Sequence, residues 1–237
     1  MRSIIFVAMF VAGAAQAGWN TYEETRELTL DARDVKHLSI NAGSGSMEVV
    51  GVDGLQAINV TANIGISDAD EDKAADIMSK KMTLTLAADG GDAALLEAFF
   101  DDGFLGRGTD AYIALVISVP KGTAVTIDDG AGSIDVTDLE GDITIDDGSG
   151  SIDIRNVASV KVDDGSGSLK VRGANGDVSI NDGSGSIKVR GVAGTVTIDD
   201  GSGSIKVSDV EKDLVIIDDG SGGQSFSNIR GEVVAET

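Results

Sequence analysis

The chain has 237 residues, of which 40 are acidic and 18 are basic, so its formal net charge is −22 at pH 7. This acidity argues against nucleic acid and anionic membrane surfaces as partners, because both are bound through basic patches. Cysteine is absent and only 4% of the residues are aromatic, which excludes disulfides and leaves few aromatic platforms for a carbohydrate-degrading cleft.

The first 17 residues are typical of a secretory signal peptide. Arg2 supplies a basic start, residues 4–14 are mostly apolar, and AQA at 15–17 fits the small-x-small cleavage pattern. The apolar run is shorter than the ~20 residues of a membrane span, and no later segment is apolar enough to serve as a transmembrane anchor. We therefore predict an exported protein of the periplasm, the outer cell surface or the medium. Its mature chain would carry 17 basic and 40 acidic side chains, a formal charge of −23.

One domain, residues 18–237, is predicted to follow the signal peptide. It contains an early coil at 38–55, LSINAGSGSMEVVGVDGL. Apolar and polar residues alternate on both sides of its Gly-Ser-Gly turn, which indicates two short strands. The turn glycines adopt positive φ angles more readily than other residues do.

Residues 64–110 break this pattern and are interpreted as an insertion. DADEDKAADIMSKK at 68–81 has helix-forming residues with acids at its start, which predicts a helix. MTLTLAA at 82–88 alternates as a strand, and DAALLEAFF at 92–100 is interpreted as a second short helix. AYIALVISVPKGTAVTI then re-enters the sheet as a long strand from residue 111.

Regular coils of about 18 residues are predicted for 123–237. In each unit, two strands rich in β-branched residues flank a DGSGS turn, and a second turn closes the unit. One unit cannot bury a core alone, but stacked copies can, with strands about 4.8 Å apart. The units are spaced by 18, 17, 18, 18 and 19 residues and are predicted to begin at Val125, Ile143, Val160, Val178, Val196 and Val215.

This stacking predicts an all-β fold, a single-stranded β-solenoid with a small α-containing insertion. Its apolar residues would line up in columns inside the coils. One predicted column is Ile127, Ile145, Val162, Ile180, Ile198 and Ile217, a second is Ile134, Ile152, Leu169, Ile187 and Ile205, and the second corner holds Leu139, Val157, Ala174, Val192 and Val210. A meander of hairpins stays open as the alternative, because Asp-Gly is also a hairpin turn.

Three motifs of this chain occur together in a known family. They are the early Gly-Ser-Gly turn at 43–46, the VPKG corner at 119–122 and the tandem I-x-x-G-S-G-x-I-x-V units. Over residues 36–237 the chain resembles a bacterial exported family, a domain of unknown function catalogued as putative adhesin. The resemblance implies a β-solenoid and an adhesin-like role, and it offers no catalytic residues. The chain departs from the family in its regular Asp-Asp pairs and its acidic insertion.

The paired aspartates before each Gly-Ser-Gly turn form the candidate site. Stacked charges about 5 Å apart repel by about 0.8 kcal/mol in water, so a cation, a raised pKa or hydrogen bonds from the turn must offset the repulsion. Calcium prefers such oxygen ligands, whereas the other interpretation is that each aspartate caps its own turn. The candidate metal ligands are Asp128, Asp129, Asp146, Asp147, Asp163, Asp164, Asp182, Asp199, Asp200, Asp218 and Asp219.

Two outward columns after the turn are also rich in charge. They contain Asp135, Asp153, Lys170, Lys188 and Lys206 in one, and Thr137, Arg155, Arg172, Arg190 and Ser208 in the other. These charges either keep a solvated face apart from other sheets or form a surface for a polymer, a carbohydrate or self-association.

Catalytic residues are not predicted. His37 is the only histidine and has no second ligand near it, and the repeated serines have no neighbouring base. We expect a non-enzymatic structural or adhesin-like scaffold without a cofactor, which binds a cell-surface polymer, a carbohydrate, another protein or itself through its repetitive columns. Two alternatives stay open, a β-roll stabilised by calcium or another divalent cation, and a carbohydrate-active β-helix enzyme.

Overall fold

Parallel strands wind the chain into a β-solenoid. The computed structural model describes residues 6–10, 21–101 and 109–235. Strand accounts for 70% and helix for 5%, and the solenoid has about 6 turns with one short helix. The predicted all-β solenoid with a small helical part is therefore confirmed.

Twenty strands and one helix make up the described chain. In chain order they are β1 (Phe6–Phe10), β2 (Thr21–Asp31), β3 (His37–Ser44), β4 (Met47–Val52), β5 (Ala57–Ser67), α1 (Glu71–Lys81), β6 (Met82–Ala88), β7 (Ala93–Phe100), β8 (Ala111–Pro120), β9 (Ala124–Leu139), β10 (Ile143–Asp147), β11 (Gly150–Val157), β12 (Val160–Asp164), β13 (Gly167–Ala174), β14 (Val178–Asp182), β15 (Gly185–Val192), β16 (Val196–Asp200), β17 (Gly203–Val210), β18 (Leu214–Asp218), β19 (Gly222–Ile229) and β20 (Val233–Ala235).

Each regular coil contributes one strand to each of two parallel sheets. Sheet A contains β11, β13, β15, β17 and β19, sheet B contains β10, β12, β14, β16, β18 and β20, and β9 runs through both. Coils pair without offset from β9 to β17, so that Ile145 faces Val162 and Ile154 faces Val171. The hairpin meander is therefore wrong for the regular coils.

In the regular coils, the core consists of the predicted aliphatic columns. The columns that begin at Ile127 and Ile134, and the residues that fill the second corner, are buried as far as the fifth coil. In the last coil the first column continues with Ile216, whereas Ile217 is 49% exposed. The prediction for Ile217, and for Val215 as the start of this unit, is wrong because β18 pairs with β16 through a shift in register after Ile198. A bulge of this kind places the additional residue outside the core.

The strands of residues 64–110 join the solenoid. β7 pairs in parallel with β3, and β8 pairs in parallel with β4. The other edges of β3 and β4 pair with β9. The early coil therefore lies between the first regular coil and a coil made of β7 and β8, although β7 and β8 follow it in the sequence.

Residues 93–100 form the strand β7, so the prediction of a second helix there is wrong. Ala94, Leu96 and Ala98 are buried and alternate with less buried neighbours. β7 pairs with β3 on one edge and antiparallel with β6 on the other. Both edges of the segment are thus hydrogen-bonded, which outweighs the helix propensity of its Ala, Leu and Glu residues.

The helix predicted within 68–81 is confirmed as α1. The side chain of Asp70 accepts a hydrogen bond from the Lys73 backbone N–H at 2.9 Å, which is the usual N-cap interaction. Ala74, Ile77 and Met78 are buried and belong to the same core as the sheets.

Most of the predicted signal peptide lies outside the described residues. Of positions 1–17, only residues 6–10 are described, and they form β1, which pairs antiparallel with β2. Cleavage after Ala17 stays a prediction. In the ranges that are described, no helix is both long and apolar enough to cross a membrane.

Candidate functional site

The DGSGS turn builds a narrow corner between the two sheets. In most regular coils the strand of sheet B ends with an aspartate pair, and the strand of sheet A begins at the second glycine of the turn. At Gly150 φ is 149°, and a Cβ atom would overlap the carbonyl oxygen of Gly132 in the preceding coil. Only glycine fits, because it adopts this φ freely and leaves room for the adjacent backbone.

The two aspartates of each pair lie on opposite sides of sheet B, because side chains alternate along a strand. The first residues of the pairs face outward and stack in register as an outer ladder, and the second residues face inward as an inner ladder. The outer ladder is Asp128, Asp146, Asp163, Asn181 and Asp199, and the buried inner ladder is Asp129, Asp147, Asp164, Asp182 and Asp200.

Hydrogen bonds from the turns hold the inner aspartates. In four of the five, Oδ1 accepts a hydrogen bond from the backbone N–H of the serine two residues later, at 3.0–3.2 Å. This is the turn capping that the sequence analysis set against calcium binding. The Oδ2 atom of all five is buried and has no hydrogen-bond partner.

Burial raises the pKa of every inner aspartate, because the carboxylate loses hydration. The pKa of Asp129 rises to about 7, first through burial and then through the charge of Asp147. The pKa of Asp182 rises to about 6, again through burial first and through Asp164 second. Burial is also the largest cause of the raised pKa of Asp147, Asp164 and Asp200, which the turn hydrogen bond opposes.

The outer ladder contains one neutral member. Asn181 takes the place of an aspartate, and its Nδ2 donates a hydrogen bond to Asp163 Oδ1 at 3.2 Å. The amide interrupts the row of like charges and relieves the repulsion between neighbouring coils.

The last aspartate pair differs from the others. Asp218 and Asp219 follow the bulge in β18, and neither is buried. Asp218 Oδ1 accepts a hydrogen bond from the Gly220 N–H at 2.8 Å, and Asp219 accepts one from the Gln224 side chain. The inner ladder therefore ends at Asp200.

The carboxyl groups of the inner ladder can take up protons, and each can offer its unpaired Oδ2 atom to a cation. Among residues 21–101 and 109–235, no group of three or more His, Cys, Asp or Glu side chains is arranged to hold a metal ion. Successive inner carboxylates are one strand spacing apart, about 4.8 Å. Because calcium takes 6–8 oxygen ligands, an ion at this corner would need oxygens from more than one coil.

The outer face of sheet A carries the predicted charged columns. Arg172 contacts Asp153, and Arg190 Nε lies 3.1 Å from Asp209 Oδ2. The three lysines of the other column, Lys170, Lys188 and Lys206, are exposed and stack in register on β13, β15 and β17.

Glu48 belongs to the same column, and the sequence analysis missed it. It is exposed, and β4 places it beside Asp135 of β9. The signal was present in the sequence, because SMEVV of the early coil aligns with SIDVT of the first regular coil. The intervening residues 64–110 separate the early coil from the regular coils in the sequence and conceal that its outward residues continue their columns.

Comparison with known proteins gives structural neighbours only. No family model matches the sequence, and no curated protein matches it. A solved structure described as a putative lipid binding protein, from Parabacteroides distasonis ATCC 8503, has 16% identity, covers 91% of this chain and 97% of its own, and gives a TM-score of 0.47.

Two further neighbours have related descriptions. A putative adhesin from Bacteroides fragilis NCTC 9343 has 14% identity, covers 93% of this chain and 98% of its own, and gives a TM-score of 0.40. A putative cell adhesion protein from Clostridium sporogenes ATCC 15579 has 11% identity, covers 92% of this chain and 100% of its own, and gives a TM-score of 0.35. These structures are what the chain is similar to, and its role is argued below from its own residues.

Proposed function

We propose that the chain is an exported, non-enzymatic β-solenoid that serves as a structural, adhesin-like scaffold and binds its partner through repetitive outer faces. The observation that carries the proposal is the register of the coils. Identical or chemically similar side chains recur in neighbouring coils on both outer faces, such as Lys170 and Lys188 on sheet A and Ser179 and Thr197 on sheet B, at one strand spacing of about 4.8 Å. Such a surface offers many equivalent contact points, which suits a partner that is itself repetitive.

The partner class follows from this arrangement. A cell-surface polymer, a carbohydrate or another protein can contact several coils at once, and many weak contacts then add up through avidity. The net charge of −22 argues against nucleic acid. The proposed location, in the periplasm, on the outer surface or in the medium, rests on the signal peptide predicted at 1–17.

Binding assays with the mature chain, residues 18–237, test the proposal. The probes are insoluble peptidoglycan and cross-linked, insoluble forms of polygalacturonate and dextran. Co-sedimentation measures binding, and the release of reducing sugar measures turnover. We expect binding without release of sugar, and weaker binding when residues 178–195, one whole coil, are deleted. Release of sugar that disappears in Glu97→Gln, an acid of the non-repeated segment, would instead favour the carbohydrate-active enzyme.

A β-roll stabilised by a divalent cation is the second candidate function. The inner ladder favours it, because five buried Oδ2 atoms lack a hydrogen-bond partner and carboxylate oxygens suit calcium. This candidate predicts that calcium raises the Tm, that EDTA lowers it, and that Asp182→Asn reduces the effect whereas Asp163→Asn in the outer ladder does not. A Tm that responds to neither reagent rules the cation out and leaves the scaffold proposal intact.

A further inference from the structure

One outward column of sheet A changes its charge halfway along the solenoid. The column consists of the central outward residue of six strands that are neighbours in the sheet, from β4 through β9, β11, β13 and β15 to β17. Its first three members are acidic and its last three are basic. In spatial order they are Glu48, Asp135, Asp153, Lys170, Lys188 and Lys206.

The basic half of this column lacks partners within the protein. In the described part of the chain, the three lysines are exposed and form no ion pair, and neither does Glu48. Asp135 is held by Arg155 at 2.8 Å and Asp153 is contacted by Arg172, with their side chains 43% and 23% exposed. Adjacent lysines at one strand spacing repel one another, so this half of the column gains from an external acidic partner.

We propose that this face binds a second copy of the chain, turned end for end about a two-fold axis that runs between β11 and β13. Rotation about that axis reverses the order of the coils, so each acidic residue meets a lysine of the second copy. Asp153 then faces Lys170, Asp135 faces Lys188 and Glu48 faces Lys206, and the same pairs repeat in the other direction. All six pairs form together, because both copies have the same strand spacing of about 4.8 Å.

The charge pattern favours a second copy over other partners. A linear polyanion would be attracted by the three lysines but repelled by the three acids next to them, and a polycation would meet the reverse. A partner that satisfies all six positions must carry three bases followed by three acids at the same spacing, and the chain itself presents that pattern. The contact is isologous, so it closes as a dimer and does not grow into a fibre. The inference goes beyond the proposed function, since it requires no polymer.

Charge reversal tests the inference directly. Analytical ultracentrifugation of residues 18–237 should detect a dimer at about 0.1 M salt, where the long-range repulsion between two negatively charged chains is screened. The dimer should dissociate as more salt is added, because the exposed charge pairs are then screened as well. The variant K170E/K188E/K206E and the variant E48K/D135K/D153K should each be monomeric. An equimolar mixture of the two should restore the dimer, since every position again faces its opposite charge.

Two controls keep the outcome unambiguous. K161E/K212E changes lysines outside this column and should leave the dimer unchanged, and circular dichroism should report the same strand content for all variants. If E48K/D135K/D153K fails to fold, the variant with all six charges exchanged should dimerise with itself. A wild-type chain that stays monomeric at about 0.1 M salt, or a dimer that survives in the lysine variant, overturns the inference. Polymer binding by a monomeric chain would support the proposed function and still refute the dimer.

Discussion

At the corner of the first five regular coils, a carboxyl group lies in the protein interior with one oxygen unpaired. The pKa of Asp129 is raised to about 7 and that of Asp182 to about 6, with burial as the main cause. A raised pKa means that the folded protein keeps a proton that the unfolded chain has already lost. The contribution of these groups to stability is therefore fully present below pH ~4, where the unfolded aspartate also binds its proton, and is lost as the pH rises to 6 or 7.

Asp182→Asn should remove this pH dependence at one position. The amide is uncharged at all pH values, so the variant should unfold at higher denaturant concentration than the wild type at pH 8, by on the order of 1–3 kcal/mol. At pH 4 the two proteins should differ little, because Asp182 then holds its proton. Urea titrations at both pH values measure the difference.

Asp163→Asn is the matched control for that experiment. Asp163 is exposed in the outer ladder, and its substitution should change stability by less than about 0.5 kcal/mol at either pH. Equal effects of the two substitutions at pH 8 would mean that the protein's net charge, and not burial of the inner ladder, controls the response.

The second glycine of the turn gives a test that does not involve charge. Gly150→Ala should destabilise the protein by more than about 3 kcal/mol, because alanine resists this φ and its Cβ would overlap the Gly132 carbonyl oxygen. Gly122→Ala, at a position with open space around the added Cβ, should be close to neutral. Thermal unfolding of the two variants compares them, and a mild effect at Gly150 would contradict the tight stacking of the turns.

Among the elements, β18 is the one whose register is displaced. Ile216→Ala should cost about 2–5 kcal/mol, since it removes a fully buried side chain. Ile217→Ala should stay within about 0.5 kcal/mol, because Ile217 lies outside the core. Equilibrium unfolding in denaturant measures both, and the reverse order would restore the register that the sequence predicts.

The regular elements could be predicted because their information is local and repeated. Alternation along VTIDD assigns Ile198 and Asp200 to the same inward side, so even the burial of the inner ladder was open to prediction from the strand period. The strand β7 was not, since AALLEAFF has good helix formers and only its neighbours β3 and β6 make it a strand. The bulge at Ile217 likewise depends on how β18 meets β16.

For the whole molecule, the equivalence of the coils predicts that one can be removed. Deletion of residues 178–195 joins Asp177 directly to Val196. The new junction resembles the natural one, because Val196 is equivalent to Val178, which normally follows Asp177. We expect a folded, shorter solenoid with a lower Tm, because the remaining coils keep their neighbours. Deletion of residues 178–186, half a coil, should prevent folding because it reverses which strand enters which sheet. Circular dichroism and thermal melts of both variants check this.

The position of the early coil determines when the N-terminal part of the molecule can assemble. Among the strands that the structure describes, β3 and β4 pair with ones that come later in the chain, from β7 to β9. During synthesis, the early coil must therefore wait for β9, which ends at Leu139, before all of its neighbours are present, and such distant contacts form slowly. The tandem coils behind it need only the preceding turn, so we expect winding to start in the regular coils and the early coil to be enclosed afterwards.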